Sequence, residues 1–207
     1  MTVDSYEGVG ELGLLDWKRR VFELYAEVRH DPDPRRAWQR WRDARDDLFA
    51  HHAQSPIPVE QRPDFGGVRY YDYDPSSRVT GAVRPVPRER RAIATSGDVP
   101  YSFTRFARVR FELGGAACEL DLYWLGGYGG GLFLSLADAT SNTETYGGGR
   151  YLLDTVKGSD LGMQDGRLVL DFNFAYNPSC SYDPSWVCPL VPPGNRLAVP
   201  LRAGERL

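Results

Sequence analysis

The first part of the chain alternates apolar and polar residues with the period of an amphipathic helix. Over residues 11–30 the apolar side chains recur at intervals of three and four positions, which places them on one stripe. These positions are Leu14, Trp17, Val21, Leu24, Tyr25 and Val28. We expect the helix to end at Asp31-Pro32, because proline cannot continue a helix and restricts the residue before it.

A second amphipathic helix is predicted to follow directly. Asp33 suits the N-cap position and Pro34 the first helical position, where the missing N–H has no intrahelical partner to lose. The apolar face comprises Ala37, Trp38, Trp41, Ala44, Leu48 and Phe49. The opposite face carries Arg and Asp residues at salt-bridge spacings. Pro56, Pro58 and Pro63 then indicate the end of the helical part.

The period of the pattern changes to two from Phe65 onward, which indicates β-strands. Residues 107–113 alternate apolar and polar side chains, Gly114-Gly115 interrupts them, and the alternation resumes at Cys118. Two such runs around a Gly-Gly pair predict a hairpin with a tight primed turn. Since Cys118 is in phase with the leucines that follow it, we expect it to be a buried core residue.

Seven further segments have strand-like patterns and are bounded by turn residues. They are residues 68–73, 78–86, 90–95, 132–136, 150–153, 167–173 and 196–201. With the hairpin they give about nine strands, and no βαβ pattern indicates a Rossmann fold. We therefore predict an α+β fold with two N-terminal amphipathic helices packed on an antiparallel β-barrel or sandwich. We expect one domain over residues 1–207, with a helical segment at 11–53 and a β body at 65–207.

Composition and charge argue against some classes of function. The formal net charge is −3, whereas nucleic-acid-binding domains usually carry a basic excess or a basic stripe. The arginines within residues 84–91 are interrupted by Glu89, and we interpret them as the solvated part of an edge strand. No stretch approaches the roughly 20 apolar residues of a membrane span, and residues 1–13 lack the apolar run of a signal peptide. We therefore expect a cytoplasmic protein that binds neither nucleic acid nor membranes.

Motifs in the last third of the chain are specific enough to indicate a family. They are Tyr146, Gly148-Gly149-Arg150-Tyr151, Asp171-Phe172-Asn173, Tyr176-Asn177-Pro178, Cys180, Cys188-Pro189 and Asn195. On these residues, and over nearly its whole length, the chain resembles the bacterial and archaeal domain-of-unknown-function family 1684. It departs from the family at Ala53 and Ser179, where proline is usual, and both positions fall in turns. The resemblance implies no activity, because the family is named for lacking one.

The strongest candidate for a site is the strand predicted at residues 167–173. Asp171 and Asn173 are two positions apart in an otherwise apolar strand, so their side chains point to the same face. Burying a carboxylate without a partner is costly, and Asp171 therefore needs a donor. Arg150 is the candidate donor, because the three glycines before it allow a close approach of the backbone.

Two hypotheses about function remain open at this point. In the first, the residues line a polar cleft that binds a small polar molecule, and in its enzymatic form Asp171 and Tyr176 are catalytic and move a proton. The ligand-binding residues are then Tyr146, Arg150, Asn173, Asn177 and Cys180. In the second, the protein is a non-catalytic structural or protein-interaction module whose polar motif braces the fold. The sequence identifies neither a cofactor nor an oligomeric state.

The pair Cys180 and Cys188 allows three interpretations. A zinc site needs four ligands, but the three histidines lie within the first 52 residues. A disulfide is disfavoured in the cytosol. We adopt the third interpretation, buried thiols that fix a turn, and we expect no tightly bound metal.

Overall fold

The computed structural model describes residues 10–207, and two helices come first. Helix α1 spans Gly10–His30 and helix α2 spans Pro34–His51. Seven strands follow: β1 (Arg78–Ile93), β2 (Tyr101–Leu113), β3 (Ala116–Leu125), β4 (Gly131–Leu136), β5 (Arg150–Asp154), β6 (Met163–Gln164) and β7 (Arg167–Asp171). Within this described range, neither helix has the length and apolar character that crossing a membrane requires. The expected absence of a signal peptide depends largely on residues 1–9, which lie outside the described part.

The boundaries of both helices follow from their capping residues. Helix α1 ends at His30, immediately before the predicted stop. Helix α2 begins at Pro34 because Asp33 caps it, and Asp33 Oδ1 accepts hydrogen bonds from the N–H groups of Arg35 and Arg36 at 3.0 and 3.2 Å. These bonds satisfy two of the N–H groups that a helix N-terminus leaves without partners. The predicted second helix is therefore confirmed.

The helices pack on the sheet through their aromatic residues. The ring of Trp41 lies 5.1 Å from that of Phe174, and Trp38 Nε1 donates a hydrogen bond to the Asn173 carbonyl at 3.0 Å. Both tryptophans are buried, and they belong to one core cluster that also contains Leu24 and side chains of β2 to β5. The tryptophans are thus packing anchors, which bury large apolar areas.

The strands form one antiparallel sheet in the order β5-β4-β3-β2-β1-β7-β6, curled into a half-barrel. The predicted α+β class is confirmed, but the sheet has seven strands where about nine were predicted. Predicted strands 78–86 and 90–95 are one strand, β1, whose pairing with β2 shifts in register between Pro85 and Glu89. The prolines of this segment suggest that the strand is interrupted, but its pairing with β2 continues beyond them.

Two other predicted strands, at residues 68–73 and 196–201, form only isolated bridges. The first bridge joins Tyr70 to Glu205, and the second joins Arg196 to Ala137. Neither segment has a neighbour along enough of its length to form a ladder, so alternation of side chains alone overestimates the number of strands.

The hairpin between β2 and β3 is confirmed, with Gly114 and Gly115 at φ of 57° and 77°. A primed turn needs positive φ at both central positions, which glycine adopts without strain. Cys118 is only partly buried and packs against the edge of the core, because it lies close to the hairpin tip. The expectation that it is a fully buried core residue is therefore wrong.

The arginine-rich half of β1 lies at an open edge of the sheet. Strand β7 pairs only with residues 78–81 of β1, so residues 82–93 pair with β2 alone. Most side chains of this half are exposed. This arrangement agrees with the interpretation of a solvated edge strand.

Candidate functional site

Arg150, at the start of β5, is sealed inside the protein and its side chain is 1% exposed. Its Nη2 donates hydrogen bonds to Asp138 Oδ2 at 2.9 Å and to the Leu201 carbonyl at 3.0 Å. Its Nη1 donates to the carbonyls of Ala203 and Glu205 at 2.5 and 3.0 Å. Burial lowers the pKa of Arg150. We call Arg150, Asp138 and these three carbonyls the Arg150 brace, because they tie the C-terminal segment to β5.

The predicted pairing of Arg150 with Asp171 is therefore wrong, since the carboxylate beside Arg150 is that of Asp138. The neighbouring glycine has a structural explanation too. Gly149 has φ of 89°, and a Cβ on it would lie 2.9 Å from the Leu136 carbonyl oxygen. The close approach that the glycines allow is thus to the protein itself and not to a ligand.

Asp171 ends strand β7, so Asn173 belongs to a 3-10 turn and not to the strand. Asp171 Oδ1 accepts hydrogen bonds from the amide N and Nδ2 of Asn173, at 3.1 and 2.8 Å. Its Oδ2 lies 3.5 Å from Nε of the partly exposed Arg78. Burial raises the pKa of Asp171 to about 6, against the opposing effect of Asn173 and Arg78. The carboxylate lines a cavity of about 300 Å³ together with Arg29 and Arg78.

Asn173 is fully buried, and its side-chain amide holds the loop before β1. Asn173 Oδ1 accepts from the Asp74 amide at 2.9 Å, and Nδ2 donates to the Asp74 carbonyl at 2.8 Å. Both polar atoms are therefore engaged by protein groups. Asn173 does not line the cavity beside Asp171.

Tyr176 and Asn177 line a different cavity, of about 80 Å³, which we call the Tyr176 pocket. The backbone of Tyr176 is held against β5, because its N–H and carbonyl both pair with Tyr151 at 2.9 and 2.8 Å. The pocket lies where α1 and α2 meet this end of the sheet. Its polar lining residues are Tyr25, Arg45, Lys157, Ser159, Tyr176, Asn177 and Ser179. Its aromatic walls also include Trp17, Trp41, Phe49 and Tyr151.

Arg45, which lines the pocket, belongs to a buried ion pair. Glu205, which is 1% exposed, accepts hydrogen bonds at Oε2 from Arg45 Nη2 at 3.0 Å and from the Asn177 amide at 2.8 Å. The Tyr182 hydroxyl donates to the other oxygen of Glu205. Burial raises the pKa of Glu205 to about 7, although Arg45 opposes the shift. The charge of Arg45 is therefore already matched inside the protein.

The guanidinium of Arg45 is also held by aromatic rings. It lies 5.0 Å from the ring centroid of Trp41, 4.8 Å from that of Phe49 and 5.0 Å from that of Tyr176. Its Nε donates to the Tyr70 hydroxyl at 3.0 Å. Arg45 is thus fixed as part of the wall, since cation–π contacts and hydrogen bonds act on it together.

Two polar atoms of the pocket have no hydrogen-bond partner among the described residues. They are the Tyr25 hydroxyl and Asn177 Oδ1, on side chains of residues that are 2% and 6% exposed. The Ser159 hydroxyl lies near Tyr25 but is hydrogen-bonded to the Tyr176 hydroxyl at 2.9 Å. Burial raises the pKa of Tyr25, and the nearby side chains of Ser159 and Trp41 oppose this shift without meeting the geometry of a hydrogen bond. An unsatisfied buried polar atom is uncommon in native proteins, and it marks a place where a ligand can bind.

Tyr146 and Cys180 form a third group, outside the pocket. The Tyr146 hydroxyl is 3.7 Å from Cys180 Sγ, and the Cys180 amide donates to Cys188 Sγ at 3.4 Å. Both cysteines are free thiols and Cys180 lies in a 3-10 turn, but Cys180 is only partly buried, so the expectation of buried thiols holds for Cys188 alone. Among residues 10–207, no group of three or more His, Cys, Asp or Glu side chains is placed to hold a metal ion.

The seven predicted site residues are thus divided among separate places. Arg150 is in the brace, Asp171 and Asn173 lie at the end of β7, and Tyr146 and Cys180 lie beside Cys188. Only Tyr176 and Asn177 share a cavity. Sequence reasoning missed two polar residues of that cavity, because Tyr25 fitted the apolar stripe of α1 and Arg45 the polar face of α2. It also missed Glu205, the partner of Arg45, which belongs to no motif.

Comparisons with known proteins agree with the resemblance seen in the motifs. The model of a family described as "Protein of unknown function (DUF1684)" matches residues 63–206. The solution NMR structure of an uncharacterized protein from gene locus rrnAC0354 of Haloarcula marismortui is 36% identical and superposes with a TM-score of 0.61. The match covers 82% of this chain and 91% of that one. No curated protein matches the chain.

Proposed function

Since the chain belongs to the DUF1684 family of proteins of unknown function, we propose a function from its own residues: it binds a small, uncharged polar molecule in the Tyr176 pocket. The observation that carries this proposal is the pair of unpartnered polar atoms, the Tyr25 hydroxyl and Asn177 Oδ1, on two residues that line one cavity. Each such atom costs about 1–3 kcal/mol when it is buried unsatisfied. A ligand that bonds to both recovers this free energy.

The two atoms define the hydrogen-bonding pattern of the ligand. The Asn177 amide N–H is already bonded to Glu205, whereas Asn177 Oδ1 has no partner among the described residues and is an acceptor. The ligand therefore offers an N–H or O–H donor to Asn177 and an acceptor to the Tyr25 hydroxyl. A carboxamide carries both groups on one carbon atom.

The charge and size of the Tyr176 pocket restrict the class of ligand further. Arg45 is paired with Glu205, and Lys157, the other charged lining residue, is exposed and lies 3.7 Å from Asp154, so the pocket holds no buried, unpaired charge that would match an ion. Burying an ion without a partner is costly, which favours an uncharged ligand. A cavity of about 80 Å³ exceeds the ~10–15 Å³ that one water requires on the same measure. The group that enters it has a few non-hydrogen atoms.

A catalytic role of Tyr176 is less well supported than a binding role. Burial raises the pKa of Tyr176 well above its ordinary value, so the hydroxyl stays protonated at neutral pH. It can donate a hydrogen bond but cannot serve as a base. Asp171, with its pKa near 6, suits proton transfer better, but it lines the other cavity.

A second candidate function is a non-catalytic structural or protein-interaction module. It is favoured by Arg150 and Asn173, two motif residues whose hydrogen bonds all go to protein groups. This role accounts for those two residues, but it leaves the unpartnered atoms of the Tyr176 pocket without an explanation.

Native mass spectrometry of the purified protein tests the binding function. We expect a small uncharged adduct on the wild type and on Tyr128→Phe, a matched control that removes the hydroxyl of an exposed tyrosine at a hairpin tip. Tyr25→Phe should retain about threefold to tenfold less adduct, because one hydrogen bond is lost. Equal retention by Tyr25→Phe, or an adduct that is an ion or metal, would contradict the proposal.

A further inference from the structure

Cys180 and Cys188 form a thiol pair that the binding function does not use. Eight positions apart in sequence, they meet where the Cys180 amide donates to Cys188 Sγ at 3.4 Å. Cys188 is 4% exposed, whereas Cys180 is only partly buried. Cys180 is therefore the more exposed residue of the two.

The surroundings of Cys180 favour its thiolate form. Contact with the Cys188 thiol lowers the pKa of Cys180, burial opposes this shift, and the Tyr146 hydroxyl, 3.7 Å away, adds to the lowering. The same contact raises the pKa of Cys188. The thiolate is the nucleophilic form of cysteine, so the more accessible sulfur is also the more reactive one.

Cys118 provides an internal comparison. It too is partly buried, but burial alone raises its pKa and no neighbouring donor opposes the shift. Two cysteines with similar exposure thus differ in the groups around their sulfur atoms. Cys118 should behave as an ordinary, slowly reacting thiol.

We propose that Cys180 and Cys188 are a redox-active pair, in which a hydroperoxide oxidises Cys180 and Cys188 then closes an intramolecular disulfide. In the first step the Cys180 thiolate attacks a peroxide oxygen and the O–O bond breaks. The sulfur loses two electrons and becomes a sulfenic acid, while the leaving oxygen takes a proton and forms water or an alcohol. In the second step the Cys188 sulfur attacks Cys180, the S–S bond forms and the S–O bond breaks. Hydroxide leaves with the Cys188 proton as water.

The geometry divides the two roles between the cysteines. Cys180 meets the oxidant first because it is the more exposed, and Cys188 is held against it as the resolving thiol. A metal role is not supported among residues 10–207, since no third ligand is grouped with the two sulfurs. The pair is therefore better suited to reversible oxidation than to zinc binding.

The test is oxidation of the full chain with hydrogen peroxide, followed by intact mass and peptide mapping. Wild type and the matched control Cys118→Ser should lose about 2 Da, with a peptide linking positions 180 and 188, and dithiothreitol should reverse the change. Cys188→Ser should gain about 16 Da at Cys180 and form a dimedone adduct there. Cys180→Ser should react at least about tenfold more slowly than the wild type.

Several results would overturn the proposal. They are oxidation of Cys180→Ser at the wild-type rate, a disulfide that includes Cys118, or stepwise oxygen addition to the wild type without any 180–188 link. The mapping of the wild-type protein needs no variant, so it decides the matter even where a substitution impairs folding. Formation of a reversible disulfide between Cys180 and Cys188 supports the proposal. Complete consumption of the peroxide without this disulfide excludes it.

Discussion

The Arg150 brace and the Tyr176 pocket are built from the same kinds of group, an arginine buried beside a carboxylate. Arg150 is paired with Asp138 and Arg45 with Glu205, at 2.9 and 3.0 Å. In the brace, three backbone carbonyls take up further donors of the guanidinium. In the pocket, the ion pair is satisfied, but two neighbouring atoms, the Tyr25 hydroxyl and Asn177 Oδ1, are not.

The comparison shows that a buried ion pair says little about function by itself. Such pairs often contribute little net stability and occur in structural networks as well as in sites. Arg150 Nε also lacks a partner, but Arg150 does not line the Tyr176 pocket or the cavity at Asp171. What distinguishes the pocket is that two residues with unused hydrogen-bonding atoms line the same cavity.

The largest expected effect is on the brace. Asp138→Asn keeps the size of the side chain but leaves the buried Arg150 without its anion, so the free energy of unfolding should fall by about 3–5 kcal/mol. Urea denaturation measures this loss. Glu144→Gln, which breaks an exposed pair with Arg202, is the control and should change stability little. A small effect of Asp138→Asn would mean that water reaches Arg150 and that the brace is not sealed.

The next effect concerns the pH dependence contributed by Asp171. Its folded pKa, about 6, lies above the unfolded value of about 3.9, so the stability it contributes is present below about pH 4 and is lost as pH rises through 6. Asp171→Asn should remove this pH-dependent fall in the free energy of unfolding, which amounts to up to about 3 kcal/mol. At pH 7 the variant should be at least as stable as the wild type.

Unfolding free energies of both proteins between pH 4 and 7 check this expectation. Glu205 titrates in an overlapping range, but it is present in both proteins. Subtracting one pH profile from the other therefore leaves the contribution of Asp171. A loss of about 3–5 kcal/mol in Asp171→Asn at pH 7 would instead be the signature of a sealed ion pair. Asp171 would then belong with the brace.

The smallest expected effects on stability come from removing the hydroxyl group of either of two tyrosines in the pocket. In the ligand-free protein, Tyr25→Phe should raise the unfolding free energy by about 1 kcal/mol, because it removes an unsatisfied buried hydroxyl. Tyr176→Phe should lower it by a similar amount, because Ser159 loses its hydrogen-bond partner. Thermal unfolding of the two variants distinguishes them by the sign of the shift. Equal losses would show that the Tyr25 hydroxyl has a partner.

Much of the fold follows from local patterns. Asp33-Pro34 places the start of α2, and Gly114-Gly115 places the turn between β2 and β3, because both depend on the backbone preferences of adjacent residues. The continuity of β1 through Pro85 was not predictable in this way. It depends on pairing with β2, which lies elsewhere in the sequence.

The candidate site was harder to predict for the same reason. The motif included Tyr176 and Asn177, which line one cavity, but the partners of a buried charge are chosen by tertiary geometry. Asp138, and not Asp171, lies beside Arg150. Tyr25 comes from α1 and Glu205 from the C-terminal segment, so no local spacing could connect them with Tyr176.

The central claim is that the Tyr176 pocket, and not the Arg150 brace, accepts an uncharged polar ligand. An NMR titration with acetamide and with acetate, which have nearly the same shape but differ in charge, tests it most directly. Acetamide should shift the amide signals of Ser159, Tyr176 and Asn177, and acetate should bind at least about tenfold more weakly. Binding of acetate as tight as that of acetamide, or shifts centred on Arg150 and Asp138, would contradict the account.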